Sequence, residues 1–261
     1  MTGNSAFQLV QARGWRRGLR NLMRAGFASW WKTNTWWVHT LIWTLVLNGM
    51  MAGALWGSDM APDEGAMLYS IFTGLFPTVA VVIIMMSEVV GEKQSGTAAW
   101  VLSKPVSRAA FILSKLVPNA VGVLATMLIA PGVVAFLQLS LAGADVGLPG
   151  FIAGLGVLGL NLLFYLTLTL MLGALFKKRG GVIAIPLAFA FGQQYLLGLI
   201  PPLANVLPWT LGVPLNDGAP AIAASLMLGQ TPHAVGPIIA ALLCLGVFVA
   251  IALWRFEREE L

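Results

Sequence analysis

The sequence predicts an all-α integral membrane protein. It reads as six transmembrane helices, an amphipathic N-terminal interfacial helix and a short cytoplasmic helix between the second and third spans. Three observations predict this. The chain of 261 residues is 58% hydrophobic and only 10% charged, where a soluble domain carries roughly 25% charged residues. Six apolar runs are long enough to cross ~30 Å of hydrocarbon at about 1.5 Å per residue. All 15 Lys and Arg residues fall in alternate connections, the signature of the positive-inside rule.

Residues 1–35 form the N-terminal region and 36–261 the six-span unit. Within 7–32, Arg13, Arg17, Arg20 and Arg24 recur at helical steps. Trp15, Leu19, Leu22, Met23, Phe27 and Trp30 follow the same period on another face. In an interfacial helix such cations meet anionic headgroups while the apolar face sinks into the acyl boundary. A plain positive-inside anchor is the alternative. The region is too basic for a secretory signal and lacks a small-residue cleavage site, so the first span is expected to be retained.

The spans are expected near 36–55, 66–86, 116–139, 148–175, 181–200 and 235–254. The N-terminal segment holds Arg13, Arg16, Arg17, Arg20, Arg24 and Lys32. The second-to-third connection holds Lys93, Lys104, Arg108 and Lys115; the fourth-to-fifth holds Lys177, Lys178 and Arg179; the tail holds Arg255 and Arg258. The opposite connections carry only Asp59, Asp63, Glu64, Asp145 and Asp217. Both termini and residues 87–108 are therefore expected in the cytoplasm. The net charge of +5 is an orientation signal; split among four membrane-adjacent segments, it does not suit nucleic acid. Trp30, Trp31, Trp36, Trp37 and Trp254 at the inner edge, with Trp56 and Trp209 at the outer, read as aromatic belts.

The expected spans contain one ionisable group, His39. Ion-coupled carriers usually need an intramembrane charge, so work is expected to enter from outside the spans. No H-E-x-x-H, G-x-S-x-G or paired intramembrane aspartates suggest an enzyme. The single cysteine, Cys244, reads as a small core residue. Asn48, Asn161 and the cluster Gln193-Gln194-Tyr195 have two readings. They bond between helices, at ~0.6 kcal/mol per pair, or they line a polar substrate path. Gly49 and Gly53 form a G-x-x-x-G pair that is a candidate dimer contact, and Gly150…Gly154 repeats the pattern in the fourth span. Pro77, Pro118, Pro131 and Pro186 kink helices that either gate or stand still. Residues 201–234 hold six prolines and apolar pieces. Short re-entrant or surface-lying helices fit that composition better than a solvated loop.

The charged island 87–108 carries the sharpest signal. Ser95 is expected to cap a short helix starting near Gly96 and Thr97, with Trp100, Val101 and Leu102 on its apolar side. Pro105 ends it, and Ser107 caps the next helix. Headgroups or a partner protein would have to cover the exposed Trp100.

Glu92-Lys93-Gln94-Ser95-Gly96-Thr97, then Leu102-Ser103-Lys104-Pro105-Val106-Ser107-Arg108, then Lys115, resembles the signature of ABC-2-type transporter permeases. That pattern reads E-[RK]-E-x-G-T, then L-L-S-x-P-V-S-R, then a lysine seven positions on. Gln94 replaces the usual second acid, and Ala109 and Ala110 lack the acid that often follows the arginine. The likeness is sharp over about 25 residues and architectural elsewhere. It implies a permease in a prokaryotic plasma membrane, paired with itself or a homologous chain, over two cytoplasmic ABC ATPase subunits. It also implies that Glu92, Gly96, Thr97, Trp100, Leu102, Pro105, Val106, Ser107 and Arg108 shape a coupling helix. Lys177, Lys178, Arg179 and Gly180 would make a second contact with the ATPase or face headgroups. No G-x-x-x-x-G-K-[ST] is present, so ATP and Mg²⁺ would sit on the partner ATPase, with no cofactor and no catalytic residue here. An ATPase-coupled scaffold passing force to an outside partner is an alternative, with 201–234 as its docking surface. An ion-coupled carrier, resting on His39, is a second.

Overall fold

The computed structural model describes residues 14–58, 60–215 and 218–258. Among these residues there are no strands, and six helices are long and apolar enough to cross a membrane. They are α2 (Thr35–Gly57), α3 (Pro62–Gln94), α5 (Arg108–Ala142), α6 (Leu148–Leu175), α7 (Arg179–Leu199) and α10 (Gly236–Glu257). Four shorter α-helices accompany them, α1 (Leu19–Trp31), α4 (Thr97–Leu102), α8 (Trp209–Gly212) and α9 (Ile222–Met227), with 3-10 turns at Gly14–Arg16 and Pro201–Asn205. The end of the bundle that carries the lysines and arginines is called the basic side below, and the other the far side.

α3 and α5 outrun the expected spans. They have 33 and 35 residues, or about 50 Å of helix each, against ~30 Å of hydrocarbon. The extra turns continue on the basic side, where acids of α3 meet a lysine of α5. Pro62 opens α3, with Asp63 and Glu64 in its first turn. There the fixed φ and the negative charges both suit a helix N-terminus. Ser107 caps α5 as expected, its hydroxyl accepting from the Ala110 N–H at 3.0 Å. Both long helices contain a π-helical turn, Ser87–Gly91 and Leu124–Ile129. The second lies just ahead of Pro131. A proline ring strikes the carbonyl four residues back in a regular helix, and a wider turn gives it room.

α6 is the central span, with α3 and α10 packed along it. Between α7 and α10, the short helices α8 and α9 are buried against the bundle. α8 meets α3 where Gly74 faces Gly212, and the Ser70 hydroxyl donates to the Gly212 carbonyl at 2.9 Å. That contact lies twelve residues into α3, about 18 Å along the helix. A Cβ at Gly150 would come within 2.4 Å of the Leu226 carbonyl, and one at Gly154 within 2.5 Å of the Ala223 carbonyl. The second G-x-x-x-G pair thus admits the short helix α9.

The N-terminal helix begins at Leu19, later than the periodicity suggests, because Gly18 takes the left-handed conformation with φ 78°. Residues 7–13, Arg13 among them, lie outside the described residues. α1 runs alongside the first turns of α5. Gly18 faces Val106, Gly26 faces Ser114 and Pro118, and Trp30 faces Gly122. Its apolar face therefore meets protein where acyl chains were expected. Trp30, read from the sequence as an aromatic-belt residue, is only 3% exposed. Arg20 and Arg24 remain exposed on the outward face.

Candidate functional site: a junction of helix ends on the basic side

α4 sits between the projecting ends of α3 and α5. Gly96, with φ 75°, starts it in the left-handed region that favours glycine. The expected Ser95 cap is not made: the Ser95 hydroxyl turns back to the Glu92 carbonyl and contacts the Thr97 hydroxyl. Ala98 is buried and Val101 and Leu102 are half-buried, which fixes one side of α4. Trp100 points the other way and is 62% exposed. Its ring carries the Lys104 ammonium at 3.4 Å from the centroid, a cation–π contact. A cleft of about 330 Å³ lies along α4, lined by Ala99, Leu102, Ser103, Val106 and Arg108.

The residues flanking α4 tie it to other helix ends. Lys115 of α5 donates to Glu88 at 3.0 Å and to Glu92 at 2.5 Å, both on α3. Lys93, on another face of α3, donates to the Gly173 and Ala174 carbonyls at 2.9 and 3.2 Å. These carbonyls lie near the C-terminus of α6, where a cation also suits the helix dipole. Gln94 donates to the Lys177 carbonyl at 3.0 Å and accepts from Arg179 Nε at 2.9 Å, which joins α3 to the α6–α7 connection. An acid at position 94 could not make the first of these bonds.

α5 begins with equal economy. Arg108 Nη1 donates to the Glu257 carbonyl at 2.6 Å, at the end of α10. Phe111 stacks on Phe256 with centroids 5.2 Å apart. The Ser107 N–H donates to the Arg17 carbonyl at 3.0 Å, and its hydroxyl donates to the Trp15 carbonyl. Val106 fills the space that a Cβ on Gly18 would take. Trp30 Nε1 donates to Asn119 Oδ1 at 2.9 Å, and Asn119 Nδ2 donates to the Lys115 carbonyl at 2.8 Å. The junction thus joins the N-terminal arm to the ends of α3, α5, α6, α7 and α10.

The structure gathers Glu92, Gly96, Thr97, Trp100, Leu102, Pro105, Val106, Ser107 and Arg108 around α4. The backbone of Lys177 and the side chain of Arg179 join them through Gln94, while the Lys177 and Lys178 side chains and Gly180 are exposed nearby. The intramembrane polar residues lie elsewhere. Asn48 donates to the Pro131 carbonyl and Asn161 to the Gly74 carbonyl, each at 3.1 Å. Gln193 donates to the Tyr165 hydroxyl at 2.7 Å and accepts from the Trp209 N–H at 3.0 Å. Gln194 and Tyr195 face outward, Tyr195 at 76% exposure. Gly49 and Gly53 also face outward, with open space where a Cβ would stand. Lys93, Asn119, Gly122 and Phe256 were not among the expected functional residues. Among the described residues, no three of His, Cys, Asp and Glu come together as metal ligands.

A family model described as ABC-2 family transporter protein matches residues 45–261. The chain belongs to this ABC-2 family. It is accordingly a membrane permease component of an ABC transporter, a non-catalytic subunit whose family implies an ABC ATPase as partner. No curated protein matched the chain. The matched part of this ABC-2 permease starts within α2 and includes α4 with every helix end tied to it except the N-terminal arm.

Proposed function

We propose that this ABC-2 permease forms half of the translocation pathway of an ATP-driven exporter in a prokaryotic plasma membrane. Both termini and α4 lie in the cytoplasm. Two permease chains, two copies of this one or this one with a homologue, build the pore. Two ABC ATPase subunits, which hold ATP and Mg²⁺, seat the α4 helices. The observation that carries the reading is Trp100: a large apolar side chain, 62% exposed, on a rigidly bracketed helix. Lys93, Gln94, Ser107, Arg108 and Lys115, by contrast, are spent on internal contacts. A partner groove would cover Trp100, and the cleft along α4 would take a partner side chain. Burying an interface tryptophan commonly contributes 2 kcal/mol or more.

The ties give the motor its transmission. A displacement of α4 reaches α6 and α7 through Lys93 and Gln94, and α10 and the N-terminal arm through Arg108 and Ser107. The exposed Lys177 and Lys178 give a second contact for the ATPase or for headgroups. Within one chain the space among Gly74, Asn161, Gln193 and Gly212 is about 10 Å³, too small for a path. The route therefore runs between chains, with Gln194 and Tyr195 placed to line it and Gly49 and Gly53 to pair the copies. Segment 201–234 buries Thr210, Leu211 and 221–225 in the bundle, which favours transport over a force-passing scaffold.

The test is co-purification and vesicle transport with the cognate ATPase. Trp100→Ala combined with Arg108→Glu should lower ATPase recruitment at least ~30-fold, the equivalent of about 2 kcal/mol, and abolish ATP-dependent transport. Trp100→Ala alone should leave the thermal stability of the permease unchanged. Full recruitment and transport in the double variant would remove this reading.

A further inference from the structure

Away from the junction, α5, α6 and α10 enclose an open groove of about 740 Å³. Its α5 wall runs from Leu124 to Leu137 and its α6 wall from Leu148 to Leu163, with Leu242 and Leu245 of α10 behind. Every lining side chain is apolar, and the groove occupies the half of the bundle away from α4. Two local features open it. The π-helical turn and Pro131 interrupt the regular α-helix along the α5 wall, and Gly156 leaves open space in the floor where a side chain would stand.

The dimensions choose the occupant. From Leu124 to Leu137 is thirteen residues, about 20 Å of helix. A volume of about 740 Å³ over that length gives a mean cross-section of roughly 37 Å². A helix with side chains, about 10–12 Å across, needs roughly 80–110 Å². A helix of a second copy could therefore lie across the mouth of the groove but not sink into it. Water is equally unsuited, because no polar group lines the walls to hold it. Unbranched hydrocarbon chains, whose carbons pack about 3.5–4.0 Å apart, fit singly or in pairs.

We propose that this groove is a built site for the acyl chain of a membrane phospholipid, retained between α5 and α6. Relative to bulk lipid the advantage lies in the fixed shape of the groove, so the site distinguishes itself by retention. One wall belongs to α5, the helix that starts at Ser107, so the bound chain packs against a helix that the junction can move.

Gly156 supplies the test. A Cβ there meets nothing within 4 Å, so Gly156→Trp starts its side chain in open space at the groove floor; Gly156→Leu is the milder version. Gly198→Trp, on α7 with equally open space, is the control. The protein is reconstituted with a phospholipid bearing a photoreactive acyl chain, irradiated and mapped by peptide mass spectrometry. Retained phospholipid is counted by native mass spectrometry after detergent washing. Wild type and Gly198→Trp should label peptides from 124–137 and 148–163 and keep phospholipid. Gly156→Trp, at an unchanged elution volume, should lose both signals at least tenfold; if it fails to fold, Gly156→Leu should lose them at least threefold. Equal labelling in wild type and the Gly156 variants overturns the proposal. So does a disulfide-linked dimer formed by Gly156→Cys in the membrane, which would place a second copy in the groove.

Discussion

Gly122→Ala puts the packing of the N-terminal arm to a sharp test, because the usual sign of the change is reversed. In a helix interior, Gly→Ala ordinarily stabilises by roughly 0.5–1 kcal/mol. Here the new Cβ would stand 2.3, 2.4 and 2.6 Å from three atoms of the Trp30 ring. Carbon atoms pack at about 3.5–4.0 Å, so the ring must retreat by about 1 Å or more. Trp30 has no slack: it is 3% exposed and bonded to Asn119 at 2.9 Å. Overpacking of this kind costs about 1–3 kcal/mol. Separating a buried donor from its acceptor costs about 1–3 kcal/mol more. The propensity gain belongs to α5 whether or not the arm is docked, so the lower ends of the two costs apply: the arm should be held at least about 2 kcal/mol less tightly, which raises the detached population about 30-fold or more. Arg20 and Arg24 are exposed on α1 but, while helical, resist trypsin. Where opening is fast relative to cleavage, the rate follows the open population. Trypsin should therefore cut at these sites about 30-fold faster in Gly122→Ala than in wild type, while Gly198→Ala, with open space at its Cβ, should cut at the wild-type rate. Equal rates for all three proteins would refute the packing argument.

Other contacts give independent tests. Lys115→Met leaves Glu88 and Glu92 facing each other and should destabilise by about 1–3 kcal/mol; adding Glu92→Gln should return about 1 kcal/mol, read as coupling in a double-mutant cycle of unfolding midpoints. Arg108→Ala frees the Glu257 carbonyl and should speed tryptic cleavage at Arg255 several-fold without changing cleavage at Arg24. Gln193→Ala leaves the Trp209 N–H and the Tyr165 hydroxyl unpaired, at about 1–3 kcal/mol, whereas Gln194→Ala should change thermal stability by less than about 0.5 kcal/mol.

The spans were legible because length and hydropathy alone specify them, and α4 because Gly96 and Pro105 bracket it. The Ser107 cap was legible for a similar local reason. The ties were not. Lys93 and Arg108 look like any other juxtamembrane cations, and their partners at Gly173, Ala174 and Glu257 are main-chain carbonyls, which carry no mark in a sequence. Gln193 and Gln194 differ by one step around a helix whose faces are all apolar, so no contrast of polarity tells which turns inward. Gly122 is one glycine among 29, and only the tryptophan lying over it gives it meaning. The amphipathic pattern of the N-terminal arm was read correctly as a face seeking apolar surroundings, but periodicity cannot say whether those are lipid or α5.

The burial of α8 and α9 sets an order of events during biogenesis. Helices of four and six residues cannot cross the hydrocarbon, and lipid would leave the backbone groups at their ends without partners. They can enter only after α3 and α6 have provided a proteinaceous berth, with Gly74, Gly150 and Gly154 as its clearances. Seating this segment is then the closing step of assembly, later than insertion of the spans on either side. A bulky residue at Gly150 or Gly154 would yield chains threaded through the bilayer but left unclosed at the far side, recognisable to quality-control proteases as complete in topology and unfinished in structure.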